Sequence, residues 1–350
     1  MKTPYVFTTS EASQSLLTFA RDQVKNKKYA ISWPNAIPSL KEAPAMFPGQ
    51  VMVLQSCSGE GKSTISKWWI KQIAKSILIQ GDESSQNKVL SCVLEETIEK
   101  ARANTMSSPI VFSEVATGNA DLKKLLRATA ESANDPIYYV GPSMAGGIIH
   151  PNAAEFEGIK PRHLGEIVYN LQSEQNINIV AATLDYIQIM SDNAGTRDNM
   201  TSKVLNASNE ILNVARSTLR CPIMVCAQSK VEVKGRQNKI PGLYDVQWSS
   251  QIAQDADIVW SIWKISQESF GTKVYIGGVE VYPFDDVYVV SVCKWRDVGM
   301  SGLTFILCSG KPFGEFFEIP FDFFSSLGVD QMKAMRVRNF MDLPENVRKF

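Results

Sequence analysis

The stretch Ser56 to Thr64 reads SCSGEGKST, follows the apolar run Val51 to Leu54 and precedes a helix-like run from Ile65 to Ala74. A buried strand, a turn and a helix opening on Lys62, Ser63 and Thr64 form a phosphate cradle. The backbone N–H groups from Ser58 through Gly59, Glu60 and Gly61 converge with the positive helix end on anionic oxygens. Lys62 adds a mobile charge, and the Ser63 hydroxyl can ligate Mg²⁺. This is chemistry for a nucleoside triphosphate, ATP or another. Ser56 stands where the usual pattern has its first glycine, but Gly59 and Gly61 keep the backbone freedom that the turn needs.

Further candidates sit at the ends of apolar runs. Val89 to Leu94 runs into Glu95-Glu96, Ile179 to Leu184 into Asp185, and Cys221 to Ala227 into Gln228. In a parallel sheet the carboxyl ends of the strands share one crevice with the cradle. An acid there suits the Mg²⁺ shell, although Asp185 taken alone could equally be a turn or N-cap residue. The amide of Gln228 can donate to a γ-phosphate and accept from a water. Lys294 and Arg296 lie at i and i+2 at the end of the run Val287 to Cys293, so both point toward one anion. Lys230, Lys234, Gly235, Arg236 and Lys239 form a local basic loop, which either tracks a phosphate backbone or is a solvated surface.

These groups need an alternating scaffold, and the sequence predicts one. Strands are expected at the runs above and at Ile137 to Val140, within Ile252 to Trp263, and at Leu303 to Leu307, the last closing the sheet. Helices are expected over Thr97 to Met106, Ala120 to Ser132, within Gly158 to Gln175, and through Arg216. A hairpin-like excursion surrounds Gly277 and Gly278. The fold class is α/β with a mostly parallel sheet flanked by helices.

Before the cradle, an amphipathic helix with Ser10 as N-cap carries Leu16, Leu17, Ala20 and Val24 on one face. It packs either on its own domain or on a neighbouring subunit. Pro34, Pro38, Pro44 and Pro48 then imply an extended link. Three segments are expected: an arm and linker over 1–48, the nucleotide-binding domain over 49–310, and an aromatic, then basic, tail over 311–350.

Composition narrows the classes. The chain has 350 residues, with 36 basic against 36 acidic side chains, so no overall field attracts a polyanion and the local basic loop must serve. Its six cysteines lack metal-site spacing and read as core thiols of a reducing cytosol. The two histidines, His150 and His163, read as surface residues and assemble no triad. No run is long and apolar enough to span a bilayer, which points to a cytoplasmic protein away from membranes.

Taken in order, the cradle, VLEET from Val93, LDYIQIM from Leu184, AQSK from Ala227, QDAD from Gln254, and KWR from Lys294 followed by GMSG resemble one family. It is that of the hexameric replicative DNA helicases with a RecA-like core, the DnaB type of bacteria and the ring helicase of T7-like phages. The resemblance covers roughly residues 45 to 310. It implies that Lys62 and Ser63 hold phosphates and Mg²⁺, that Glu95 polarises the attacking water, and that Asp185 holds the metal's water shell. Gln228 would sense the γ-phosphate, and Lys294 and Arg296 would reach into the neighbouring subunit's site. The basic loop is similar to the phage loop that grips single-stranded DNA. Gln247-Trp248-Ser249-Ser250 departs from the Arg-Glu-Ser-Gly-type DNA contact of the bacterial enzymes. The resemblance also implies a homo-hexamer, with any primase or loader a separate chain. A ring ATPase of the recombinase or KaiC kind, hydrolysing ATP without unwinding, is the alternative, and a nucleotide-regulated scaffold a third reading.

Overall fold

The structure is a computed structural model that describes residues 8–25, 33–34, 36–79, 86–106, 111–142, 159–192, 199–236, 238–265, 274–276, 279–281, 287–299, 301–310 and 315–319. His150, the Phe-rich and basic tail beyond residue 319, and the Gly277-Gly278 turn itself lie outside these residues.

Five strands and the cradle helix carry the site: β1 (Val51–Ser56), α2 (Lys62–Ile79), β2 (Asn87–Val93), β4 (Asn178–Asp185), β5 (Ile223–Gln228) and β6 (Ile258–Ile265). Together with β3 (Ile137–Val140) they run parallel, while β9 (Val287–Trp295), β10 (Thr304–Gly310) and β11 (Glu315–Ile319) add an antiparallel flank, in the order β11-β10-β9-β6-β1-β5-β4-β2-β3. The pair β7 (Val274–Ile276) and β8 (Val279–Val281) stands apart as the expected hairpin. Every residue of β1 is buried, as a parallel strand covered on both faces requires. Met52 and Leu54 face α2, whereas Val51 and Val53 face α6 (Pro161–Gln175) and α8 (Met200–Val214).

Local chemistry sets the helix ends. Thr97 caps α3 (Ile98–Thr105), Asp121 caps α5 (Leu122–Glu131) and Asn199 caps α8, each accepting a backbone N–H. His163 is half-buried rather than a surface residue, because its Nδ1 accepts from the Lys160 N–H and closes the start of α6. The short helices α4 (Phe112–Ala116), α7 (Ile187–Asp192) and α9 (Gln251–Asp255) complete the described set, with the first helix α1 at Thr9–Lys25. Thr8, and not Ser10, caps α1, sharing reciprocal hydrogen bonds with Glu11. Leu16 and Leu17 of α1 are exposed.

Two expectations are corrected at the ends. The strand Thr304–Gly310 does not close the sheet, because β11 pairs outside it and buries Phe316, Phe317 and Ile319. The proline-rich link is not simply extended. It turns at Pro38–Leu40 and buries Trp33, Ile37, Leu40 and Met46 in the same core as Phe305 and Phe316. Trp33 stacks on Trp260 at 5.0 Å between centroids, meets Trp295 edge-on, and donates its indole N–H to the Pro44 carbonyl. Trp33→Ala should therefore cost about 3 kcal/mol or more in denaturant-induced unfolding; a loss below about 1 kcal/mol would show that the link is not part of the core.

Candidate active site

The parallel strand tips meet at the cradle. Ser56 at the end of β1 lies in register with Gln228 at the end of β5, and Val93 of β2 with Asp185 of β4. A cleft of about 470 Å³ is lined by Lys62, Ser63, Glu95, Asp185 and Gln228. Gly59 and Gly61 have φ of +80° and +87°, and a Cβ on Gly61 would collide with the Tyr288 ring. Both conditions demand glycine there. The Lys62 ammonium is turned inward onto the carbonyls of Ser56 and Cys57, each at 3.2 Å, and the Ser56 hydroxyl at 3.3 Å. The residue that departs from the usual glycine thus helps to hold the lysine.

The acids differ in environment. Asp185 is buried, and burial pushes its carboxyl above the ordinary value against a hydrogen bond from Ser63. Its Oδ1 is buried without a hydrogen-bond partner, so the Ser63–Asp185 pair is a donor set that fits a hard cation. Glu95 is exposed at the cleft, and burial of part of its carboxyl and the charge of Asp185 raise its pKa. Glu96 beside it pairs with Lys67, one turn below Ser63 on α2, and with Lys100 at 3.7 Å. Glu95 makes no ion pair among the described residues. Of two adjacent carboxylates, one is paired with lysines and the other stands at the cleft without an ion pair among the described residues.

Lys294 and Arg296 do not join this cleft. Trp295 between them pairs with Ile258, whose parallel partner is Met52 at the start of β1, roughly 13 Å of strand from Ser56. Both cations rest on the carboxyl end of α9. Lys294 donates to the Ala253 and Gln254 carbonyls and Arg296 to those of Gln254 and Asp255. Asp257 organises the group, accepting from Arg296, Arg216 and the Val51 N–H. Partial burial and the Arg296 charge hold the Lys294 ammonium below its ordinary pKa.

The basic loop is anchored to the strand tips. Ser229 bridges to Val246, Lys230 N–H donates to the Asp245 carbonyl, and Gln247 N–H donates to the Gln228 carbonyl at 2.8 Å. Lys234 donates to the Ser58 carbonyl of the cradle at 3.2 Å, and Lys230 to that of Tyr244. Arg236 makes two hydrogen bonds to Asp245, which hold that carboxyl below its usual range. Gly235 is exposed and Lys239 half-buried.

The sequence profile described as the DnaB-like helicase C terminal domain matches residues 44–273. The chain belongs to that family. Relatives of the DnaB-like domain include the replicative DNA helicase DnaC of Bacillus subtilis (strain 168), 25% identical over 243 residues, which are 68% of this chain and 48% of the relative. The chain thus spans about half the length of such relatives. A solved ATPase domain superposes with a TM-score of 0.64 at 18% identity, over 88% of this chain and 98% of that one. The structure of a DnaB-like replicative helicase and its interactions with primase gives 0.62 at 18% identity, over 87% and 66%. The expected α/β architecture is thereby shown.

Some site groups of this DnaB-like domain escape sequence reading. Gln188 clamps the backbone of Gln228 from both sides at 3.3 Å. Its only sequence signal is its place after the Asp185 tip. Lys67 was legible only through its i+4 spacing from Ser63. Glu60 in the cradle is lifted by burial to about 7, against the pull of Lys234 and Lys62, and its Oε2 is buried without a partner. A carboxyl raised above its unfolded value of 4.5 favours the fold below that value and loses the contribution as pH rises through about 7. Between about pH 5 and about pH 8, wild type should lose about 1 kcal/mol more stability than Glu60→Gln, after discounting for solvent screening. Thermal unfolding at both pH values tests this, and parallel losses would remove the assignment.

Proposed function

We propose that this chain is the motor domain of a ring-shaped, ATP-dependent DNA helicase that hydrolyses NTP between adjacent subunits and moves along single-stranded DNA in replication. The observation that carries the reading is the separation of its parts. The cleft holds cradle, carboxylates and Gln228, while the cationic pair stands at the far end of the same sheet, out of reach of its own cleft. A neighbour's nucleotide is the anion that this pair can meet, and a closed homo-hexamer lets every subunit play both parts. The exposed leucines of α1 supply an apolar face for the same contact.

The residues act as follows. Lys62 leaves the strand carbonyls for the β- and γ-phosphates, with the N–H groups from Ser58 to Thr64 completing the cradle. Ser63 and Asp185 hold Mg²⁺, which neutralises phosphate charge when bound. Glu95, kept free of ion pairs, orients the attacking water and accepts its proton. Gln228 contacts the γ-phosphate. Because Gln247 and Lys230 are hydrogen-bonded within the same loop assembly, loss of that phosphate is felt by the cations that hold the strand. Arg296, with Lys294, stabilises charge on the neighbour's transferring phosphoryl group. The work is cytoplasmic, and a primase or loader is a separate partner. No helix among the described residues is long and apolar enough to cross a membrane.

A forked-duplex assay with ATP and Mg²⁺ tests the whole reading. Strand separation is expected; DNA-stimulated hydrolysis without separation at any salt would favour the non-unwinding alternative. Arg296→Ala should keep nucleotide binding and lower kcat roughly 10³-fold, while mixing it with Lys62→Ala subunits should restore part of the turnover. No recovery in the mixture would place the finger within its own subunit. Replacing Lys230, Lys234 and Arg236 together by Ala should weaken single-strand binding and flatten its log–log salt slope by about one unit per charge. An unchanged slope would return the loop to plain surface.

A further inference from the structure

The chain has seven tryptophans. Six of them, Trp33, Trp68, Trp69, Trp260, Trp263 and Trp295, are buried, and Trp248 alone is exposed, at 38%. Its backbone φ is +68°, a region that a bulky side chain rarely enters and that neighbouring contacts must impose. Those contacts are visible. Gln247 just before it is tied to the Gln228 carbonyl at 2.8 Å, and Gln251 N–H donates to the Ser249 hydroxyl at 3.2 Å just after it. The indole makes no ring contact or hydrogen bond among the described residues. A second aromatic, Tyr244, is 62% exposed three residues after the buried Pro241 turn and accepts at its carbonyl from Lys230.

An exposed indole held in a strained backbone by the same bonds that anchor the basic loop has a use for its open face. The cations on that loop attract a phosphate chain, and a single strand brings with it bases whose faces are unpaired. A duplex hides those faces. We infer that Trp248 is a stacking platform for a base of single-stranded DNA held by Lys230, Lys234 and Lys239. The inference rests on the strand-binding reading of the basic loop and adds a contact that carries no charge. Tied to Gln228 through Gln247, the platform moves with the strand tip that faces the nucleotide.

Intrinsic tryptophan fluorescence isolates this residue, because the other indoles are shielded. An oligodeoxythymidine added to the wild-type protein should quench the fraction of emission that iodide also quenches, and a blunt duplex of equal length should not. Trp248→Gly, which accepts the left-handed backbone without strain, should lose the quenching and bind the oligonucleotide about 10-fold more weakly with an unchanged salt slope. Trp248→Phe should retain most of the affinity. Wild-type emission that stays constant at saturating oligonucleotide, or a Trp248→Gly variant that binds as tightly as wild type, overturns the platform. If the triple basic-loop variant also binds normally, the strand-binding reading itself has failed; if only the Trp248 variants are silent, that reading stands.

Discussion

Parallel pairing of β1 with β5 on one side and β6 on the other is the constraint on which the rest depends. It gives the strands a common polarity, so all their carboxyl ends open at one edge of the sheet. The cradle, Asp185 and Gln228 meet there because each is the residue at which a buried strand stops. The same polarity, reversed in antiparallel β9, carries Lys294 and Arg296 to the other edge, where Asp257 receives them. A single chain thereby carries the cradle at one edge of the sheet and a cationic pair at the other.

Charge is managed locally within this frame. The cleft gathers Glu95, Glu96 and Asp185 beside the cradle, whose own turn carries a fourth acid, Glu60. Left ionised and free, four carboxylates would repel the anion the cradle is built for. Glu96 is neutralised by Lys67 and Lys100, Glu60 is pushed by burial toward its neutral form, and Asp185 is engaged by Ser63. Glu95 stays free at the edge of the cleft. The cations are restrained in the same way, Lys62 on strand carbonyls and Arg296 on helix carbonyls.

The basic loop is tied to the cradle edge of the sheet. It departs from the strand tip that bears Gln228, returns through Val246 and Gln247 to the same tip, and touches the cradle through Lys234. Its cations are not loose. Arg236 is committed to Asp245, while Lys230 and Lys234 donate to the Tyr244 and Ser58 carbonyls.

The sequence by itself determined the order and kind of the elements that matter to the site. Long apolar runs ending in a glycine turn, an acid or an amide can be read as buried strands with polar tips, because a strand covered on both faces admits few other residues. The helix starts after Thr97, Asp121 and Asn199 are local too, each side chain accepting a backbone N–H, although none of the three is read as a cap from the sequence. What only the tertiary structure decided was pairing between distant residues. Glu315–Ile319 carries charged residues at both a strand's start and interior and became a strand by docking on β10 and α2. Trp33 joined the core through Trp260 and Trp295, more than two hundred positions away. The partners of Lys67, Arg236 and Arg296 were likewise invisible, since an ion pair depends on where two side chains meet and neither one carries a signal of the other in its own neighbourhood.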